Sequence, residues 1–203
     1  MTGEKLVTVV NPGGGTIRRS TFAILLITGL LATAALADLS TGRIFVKEDE
    51  FAGSSTVFID GLQLQGELEF TAFLSTKIEG KKIEPALLGV FGEMAGVAVK
   101  LTSSNNKWRF LQCHTLDWLA DGERINSTTR HDGRVGNGHV LEFVDTNIPF
   151  RKFARMATAS NLRGKLCNTE FEFSPTQIST LKAFAEQAGI YEAIEAYSRA
   201  QKN

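Results

Sequence analysis

Between Leu62 and Leu74 the chain alternates. Leu62, Leu64, Leu68, Phe70, Ala72 and Leu74 are interleaved with Gln63, Gln65, Glu67, Glu69 and Thr71. A period of two sends the two sets to opposite faces of a strand, which predicts an antiparallel sheet with one buried face and one wet face. Gly66 marks a bulge within this strand. Asp60-Gly61, after Val57-Phe58-Ile59, supplies a two-residue hairpin signal. Arg43–Lys47 is a further short β-branched and aromatic run. Downstream, Val97, Val99 and Leu101 outline another strand, Ser103–Asn106 a turn, and Trp108–Cys113 the returning arm of a hairpin. Leu116–Ala120 leads into Asp121-Gly122, and Asp132-Gly133 and Asn137-Gly138 predict two more turns before a strand over His139–Asp145.

The period then changes. Pro149 suits the first turn of a helix, and Phe150, Phe153, Ala154 and Ala157 follow at i, i+3, i+4 and i+7, which predicts one internal amphipathic helix. Leu162–Phe173 returns to strand. Ser174, Pro175 and Gln177 form a capping-box start for a helix carrying Ile178, Leu181, Phe184 and Ala185. Gly189 interrupts it, and a last helix spans Tyr191–Gln201. Many short strands followed by helix, strand and terminal helices predict an α+β domain with a mainly antiparallel sheet, sandwich-like or a partly open barrel, rather than βαβ units.

A different apolar pattern occupies Thr21–Ala37, seventeen residues without a charge after Arg18-Arg19. It is short for a membrane span and ends in Ala35-Leu36-Ala37, the small-x-small pattern of an export cleavage site. Residues 1–37 therefore read as a leader and signal peptide, or as an N-terminal anchor, and residues 38–203 as a single extracytoplasmic domain, periplasmic or secreted. Of 203 residues, 166 then remain, enough for one hydrophobic core. Removing the leader's Lys5, Arg18, Arg19 and Glu4 from a balance of 22 basic and 22 acidic residues leaves 19 against 21. A net charge of about −2 gives no electrostatic footprint for nucleic acid. Membrane contact is expected only through Thr21–Ala37. Two cysteines in an oxidising compartment, Cys113 and Cys167, are candidates for a disulfide joining two strands.

Chemistry-bearing residues are sparse. His114 with Asp117 could orient an imidazole, but no Gly-x-Ser-x-Gly elbow accompanies them. His131 and His139 flank a turn-rich segment with Asp132, an incomplete zinc shell. Glu67 and Glu69 point to the same side of one strand, as paired-carboxylate chemistry requires, and as a solvated or edge-protecting face also does. Arg151, Lys152 and Arg155, on the polar side of the internal helix with Arg163 and Lys165 nearby in sequence, form a candidate basic patch for an anionic partner. No catalytic residue, metal ligand or cofactor is assigned. The run from Trp108 through Leu116–Ile125 and Val140–Phe143 to Phe153-Ala154 and Thr169–Ser174 resembles a recurrent module of uncharacterised exported bacterial proteins. That resemblance covers about half the chain and implies no activity or ligand. The expectation is an exported non-enzymatic binding or envelope-interaction module with a protein or envelope partner; the alternative is an extracytoplasmic hydrolase.

Overall fold

A computed structural model describes residues 7–8, 41–77 and 95–202. The export segment Thr21–Ala37, its leader glycines and the apolar stretch from Pro85 to Met94 lie outside the described residues. The strands are β1 (Val7–Thr8), β2 (Thr41–Asp49), β3 (Ser54–Leu64), β4 (Leu68–Lys77), β5 (Gly96–Asn105), β6 (Leu116–Ala120), β7 (Glu123–Ser127), β8 (Thr129–Gly136) and β9 (His139–Pro149). Helix α1 (Phe150–Thr158) follows, then β10 (Leu162–Leu166), β11 (Thr169–Glu172), α2 (Pro175–Gln187) and α3 (Ile190–Ala200). The fold is α+β, with two antiparallel sheets in the orders β1-β2-β3-β4-β5-β9-β8 and β11-β10-β6-β7. No closed barrel forms among the described residues.

The alternation of Leu62–Leu74 is real, but its punctuation is exchanged. The chain turns at Gln65–Glu67, where Gly66 and Glu67 have φ of 73° and 59° and Leu64 faces Leu68. Asp60-Gly61, expected as a hairpin, instead sits inside β3, where the register shifts between Ile59 and Leu62. The buried phase explains this. Val57 and Ile59 are odd-numbered and Leu62 and Leu64 even-numbered, and all four are buried. An extra residue must be absorbed between them, and Gly61 at φ 74° absorbs it as a bulge.

Three more sequence expectations change. Trp108–Cys113 is an irregular loop and not a returning strand, because β4 and β9 already occupy the two edges of β5. Asp132-Gly133 lies within β8, not at a turn; a Cβ on Gly133 would come 2.6 Å from the Trp108 ring, so the glycine serves close approach. Leu162–Phe173 is a hairpin, with Cys167 at φ 57° in its turn. The helices follow the sequence. Ser174 and Gln177 form the reciprocal capping box, and Phe150, Phe153, Ala154 and Ala157 are buried on α1.

The inner faces of the two sheets meet around aromatic rings. Phe70 of β4 lies edge-on to Trp118 of β6 at 6.3 Å and to Phe173 at 5.4 Å. Phe153 of α1 packs against Phe184 of α2 at 5.5 Å. Burying each such side chain is worth about 1.5–3 kcal/mol. Gln177 is wholly buried and also donates from Nε2 to the Gln63 carbonyl at 2.6 Å, tying the start of α2 to the end of β3.

Candidate functional site

Two features stand out: a pinned loop and an open hollow. The loop, Asn106–Thr115, leaves β5 and crosses the inner face of β8 and β9. On β9 the buried phase runs Val140, Glu142, Val144, Thr146, Ile148, so a carboxylate occupies an apolar position, and Glu142 is 1% exposed. A buried charge needs partners. Its Oε2 accepts the Arg109 backbone N–H at 2.8 Å, Oε1 accepts the Phe110 N–H at 2.9 Å, and His131 Nε2 lies 3.2 Å from Oε1.

Around this pin three rings form a column. His131 stacks on His114 at 5.8 Å, and Trp108 meets His131 at 6.1 Å. Arg109 reaches outward to the Gly66 carbonyl at 2.6 Å and to Thr169 Oγ1 at 3.3 Å. Thr129 donates to the His114 carbonyl at 2.6 Å. At the far end Cys113 and Cys167 are joined by a disulfide, with Cα atoms 5.9 Å apart, and the Cys167 N–H donates to the Thr115 carbonyl. The expected bond therefore forms, although it links a loop to a hairpin turn and not two strands.

The hollow lies on the outer face of the four-stranded sheet and measures about 390 Å³. Register sets its chemistry: Glu170, Lys165, Asp117 and Asn126 form one cross-strand row, and Glu172, Arg163, Leu119 and Arg124 the next. Lys165 pairs with Glu170 at 3.0 Å and Arg124 with Asp117 at 2.9 Å. The hydrogen bond and charge of Asp117 raise the Arg124 pKa further above its ordinary value. Arg163 is exposed beside half-buried Leu119 and, among the described residues, has no carboxylate within ion-pair distance. The floor at Gly164 is backbone over the rings of Phe171 and Trp118, which occupy the place a Cβ would need.

The other sequence candidates are dispersed. Arg155 pairs with Glu123 of β7, Arg151 lies over the Tyr197 ring at 5.5 Å, and Lys152 is exposed on α1. Arg163 and Lys165 belong to the hollow. Glu69 accepts from Gln63 Nε2 at 2.9 Å, while Glu67 sits in the turn with Asn105 and Arg109, so the two carboxylates do not converge. His139 faces Gly136 at the hairpin tip and His131 faces Val144, five steps along β8, so the hairpin does not unite them. Asp117 lies on the outer face with Arg124, not against His114. Among the described residues no group of three His, Cys, Asp or Glu could hold a metal ion. Glu142 is the residue sequence reasoning underused; its signal was a carboxylate in phase with Val140 and Val144. Comparison with family models, curated proteins and solved structures finds no match.

Proposed function

We propose that this chain is an exported, non-enzymatic binding module that holds a partner on the outer face of β6, β7, β10 and β11. The observation that carries the reading is the hollow itself: a concave face where Lys165 pairs with Glu170 and Arg124 with Asp117, where Arg163 has no ion-pair partner among the described residues, and where Leu119 offers an apolar contact. Its support is stiff, since β10–β11 is clamped by the disulfide and by the Glu172 N–H donating to Gln65 at 2.7 Å. A preformed face loses little ordering entropy on binding.

The disulfide supports an oxidising compartment, and the Ala35-Leu36-Ala37 pattern supports removal of the leader. Among the described residues no helix is long and apolar enough to cross a membrane. Against turnover, the carboxylate of Glu142 is occupied by two backbone amides, and the ring of His131 lies against Trp108 and His114. No specific observation favours the hydrolase reading.

The test is a photocrosslinking amino acid at Leu119 in the native envelope, with Lys152 on α1 as the control position. A discrete adduct at Leu119 and none at Lys152 is expected, on a chain whose intact mass begins at Asp38. Equal or absent crosslinking at Leu119 refutes the binding face, and a full-length, membrane-extracted chain refutes processing.

A further inference from the structure

The segment Glu123–Gly136 forms the last strand of both sheets. β7 closes the small sheet, the chain crosses at Thr128, and β8 closes the large one. The other outer edge of the small sheet, β11, is met by the Gln65 side chain. Among the described residues, β8 pairs only with β9, which leaves its other edge open. The Gly133 N–H is met by its own neighbour, Asp132 Oδ1, at 2.7 Å, which places that donor on the open side. An open strand edge is a template for another strand.

We infer that β8 pairs antiparallel with β8 of a second copy of this chain, about a two-fold axis at Gly133. The edge's charge pattern selects both partner and register. Arg130, Asp132 and Arg134 lie exposed on one face of β8. Centring the pair on Asp132 sets Asp132 against itself and Arg130 against Arg134, and like charges directly opposite are destabilising. Centring it on Gly133 sets Asp132 of each copy against Arg134 of the other, and all paired residues from Arg130 to Gly136 stay within the strand.

The apolar side agrees. Val135 is 64% exposed, an anomaly for a strand residue, and in this register it stands opposite His131 of the other copy, on the side where Trp108 covers that ring. Trp108, 38% exposed and standing over Gly133, then meets its own counterpart across the axis. Buried aromatic anchors at the centre and charge pairs around them are the usual anatomy of an interface. A glycine at the axis lets the two backbones close while both Trp108 rings keep their places. Asp132 exchanges its local bond to Gly133 for the Arg134 of the second copy.

Sedimentation of the purified protein over a concentration series, at low and high salt, tests the proposal. A reversible dimer is expected, weakened by salt. Asp132→Arg and Arg134→Asp should each raise the dimer dissociation constant about tenfold or more, since each places like charges opposite each other at two symmetric positions. The double exchange Asp132→Arg/Arg134→Asp should restore it. Amide exchange at Arg130–Gly136 should slow as the protein is concentrated. Both substitutions are on an exposed edge, and a circular dichroism melt confirms that each of the three variants folds. A monomer at every concentration, or a dimer indifferent to both single exchanges, overturns the inference. A strand from a different protein on this edge would appear as a monomeric chain whose exchange slows only when that protein is added, and overturns it too.

Discussion

Replacing Glu142 by Gln keeps the volume of the side chain and removes both its charge and half its acceptor capacity. The carboxylate takes two backbone N–H groups, from Arg109 and Phe110, on separate oxygens. Gln has one carbonyl oxygen, so one N–H must face an amide NH₂ and stays unsatisfied in a site only 1% exposed. An unpaired buried donor costs about 1–3 kcal/mol, and the surviving bond falls from charged to neutral strength, roughly another 1 kcal/mol. The expected loss is therefore about 2–4 kcal/mol, a large share of a typical domain's stability. At roughly 2–4 °C per kcal/mol for a chain of this size, the melting temperature should drop by about 5–15 °C. Guanidinium titration with the disulfide intact measures the loss, provided the slope is unchanged. Amide exchange at Arg109 and Phe110 should accelerate by more than the global destabilisation accounts for. A loss below about 0.5 kcal/mol, the level of an ordinary surface change, would refute the role of Glu142 as the pin of the loop.

Two further outcomes follow from the same structure. The Cys113–Cys167 bond closes a separation of 54 residues, worth about 4 kcal/mol in the chain-entropy model. Unfolded but unreduced protein should take up no alkylating reagent and reduced protein two equivalents, read by mass; alkylation without reductant would overturn the pairing. Tyr191 has its pKa raised, first by burial and then by the charge of Glu186, and its hydroxyl is buried without a hydrogen-bond partner among the described residues. The folded chain thus holds this proton when the unfolded chain has released it. Stability should be unaffected below the ordinary tyrosine range, about 10, and should fall as pH rises from there through the raised folded value. Tyr191→Phe should remove that alkaline fall and leave neutral-pH stability unchanged or higher; a wild-type alkaline profile in the variant would refute it.

What the sequence made legible were features whose cause is local. The period of two around Phe70, the period of 3.6 after Pro149, and the Ser174–Gln177 capping box each depend on neighbours within a few residues, and each stands in the structure. The disulfide was reached through composition and compartment, while the loop geometry of Cys113 was not. Misread punctuation came from reading dipeptides without their partners. Asp60-Gly61 and Gln65–Glu67 both offer turn chemistry, and only the buried parity of Ile59 and Leu62 decides which becomes the bulge. Asp132-Gly133 resembles a turn until Trp108, 25 positions earlier in the numbering, is placed over the glycine. The hollow was illegible because it is made of cross-strand rows, and Arg163 and Lys165 appeared as neighbours of α1 until register set them beside Leu119 and Asp117.

Strand order also has a consequence in time. β5 and β9 are neighbours in the large sheet, so the chain makes an excursion from Asn106 to Gly138 before returning, and that sheet can be completed once Pro149 is available. The small sheet cannot. β6 and β7 form only a two-stranded hairpin until β10 and β11 arrive from residues 162–172, and a lone hairpin is marginal in water. In a chain made or threaded N-terminus first, Cys113 therefore waits as a thiol, and the face bearing Leu119 and Arg163 takes shape in the closing stage of maturation. A molecule arrested before Leu162 would carry a finished large sheet and, in place of the four-stranded sheet and its hollow, only the β6–β7 hairpin.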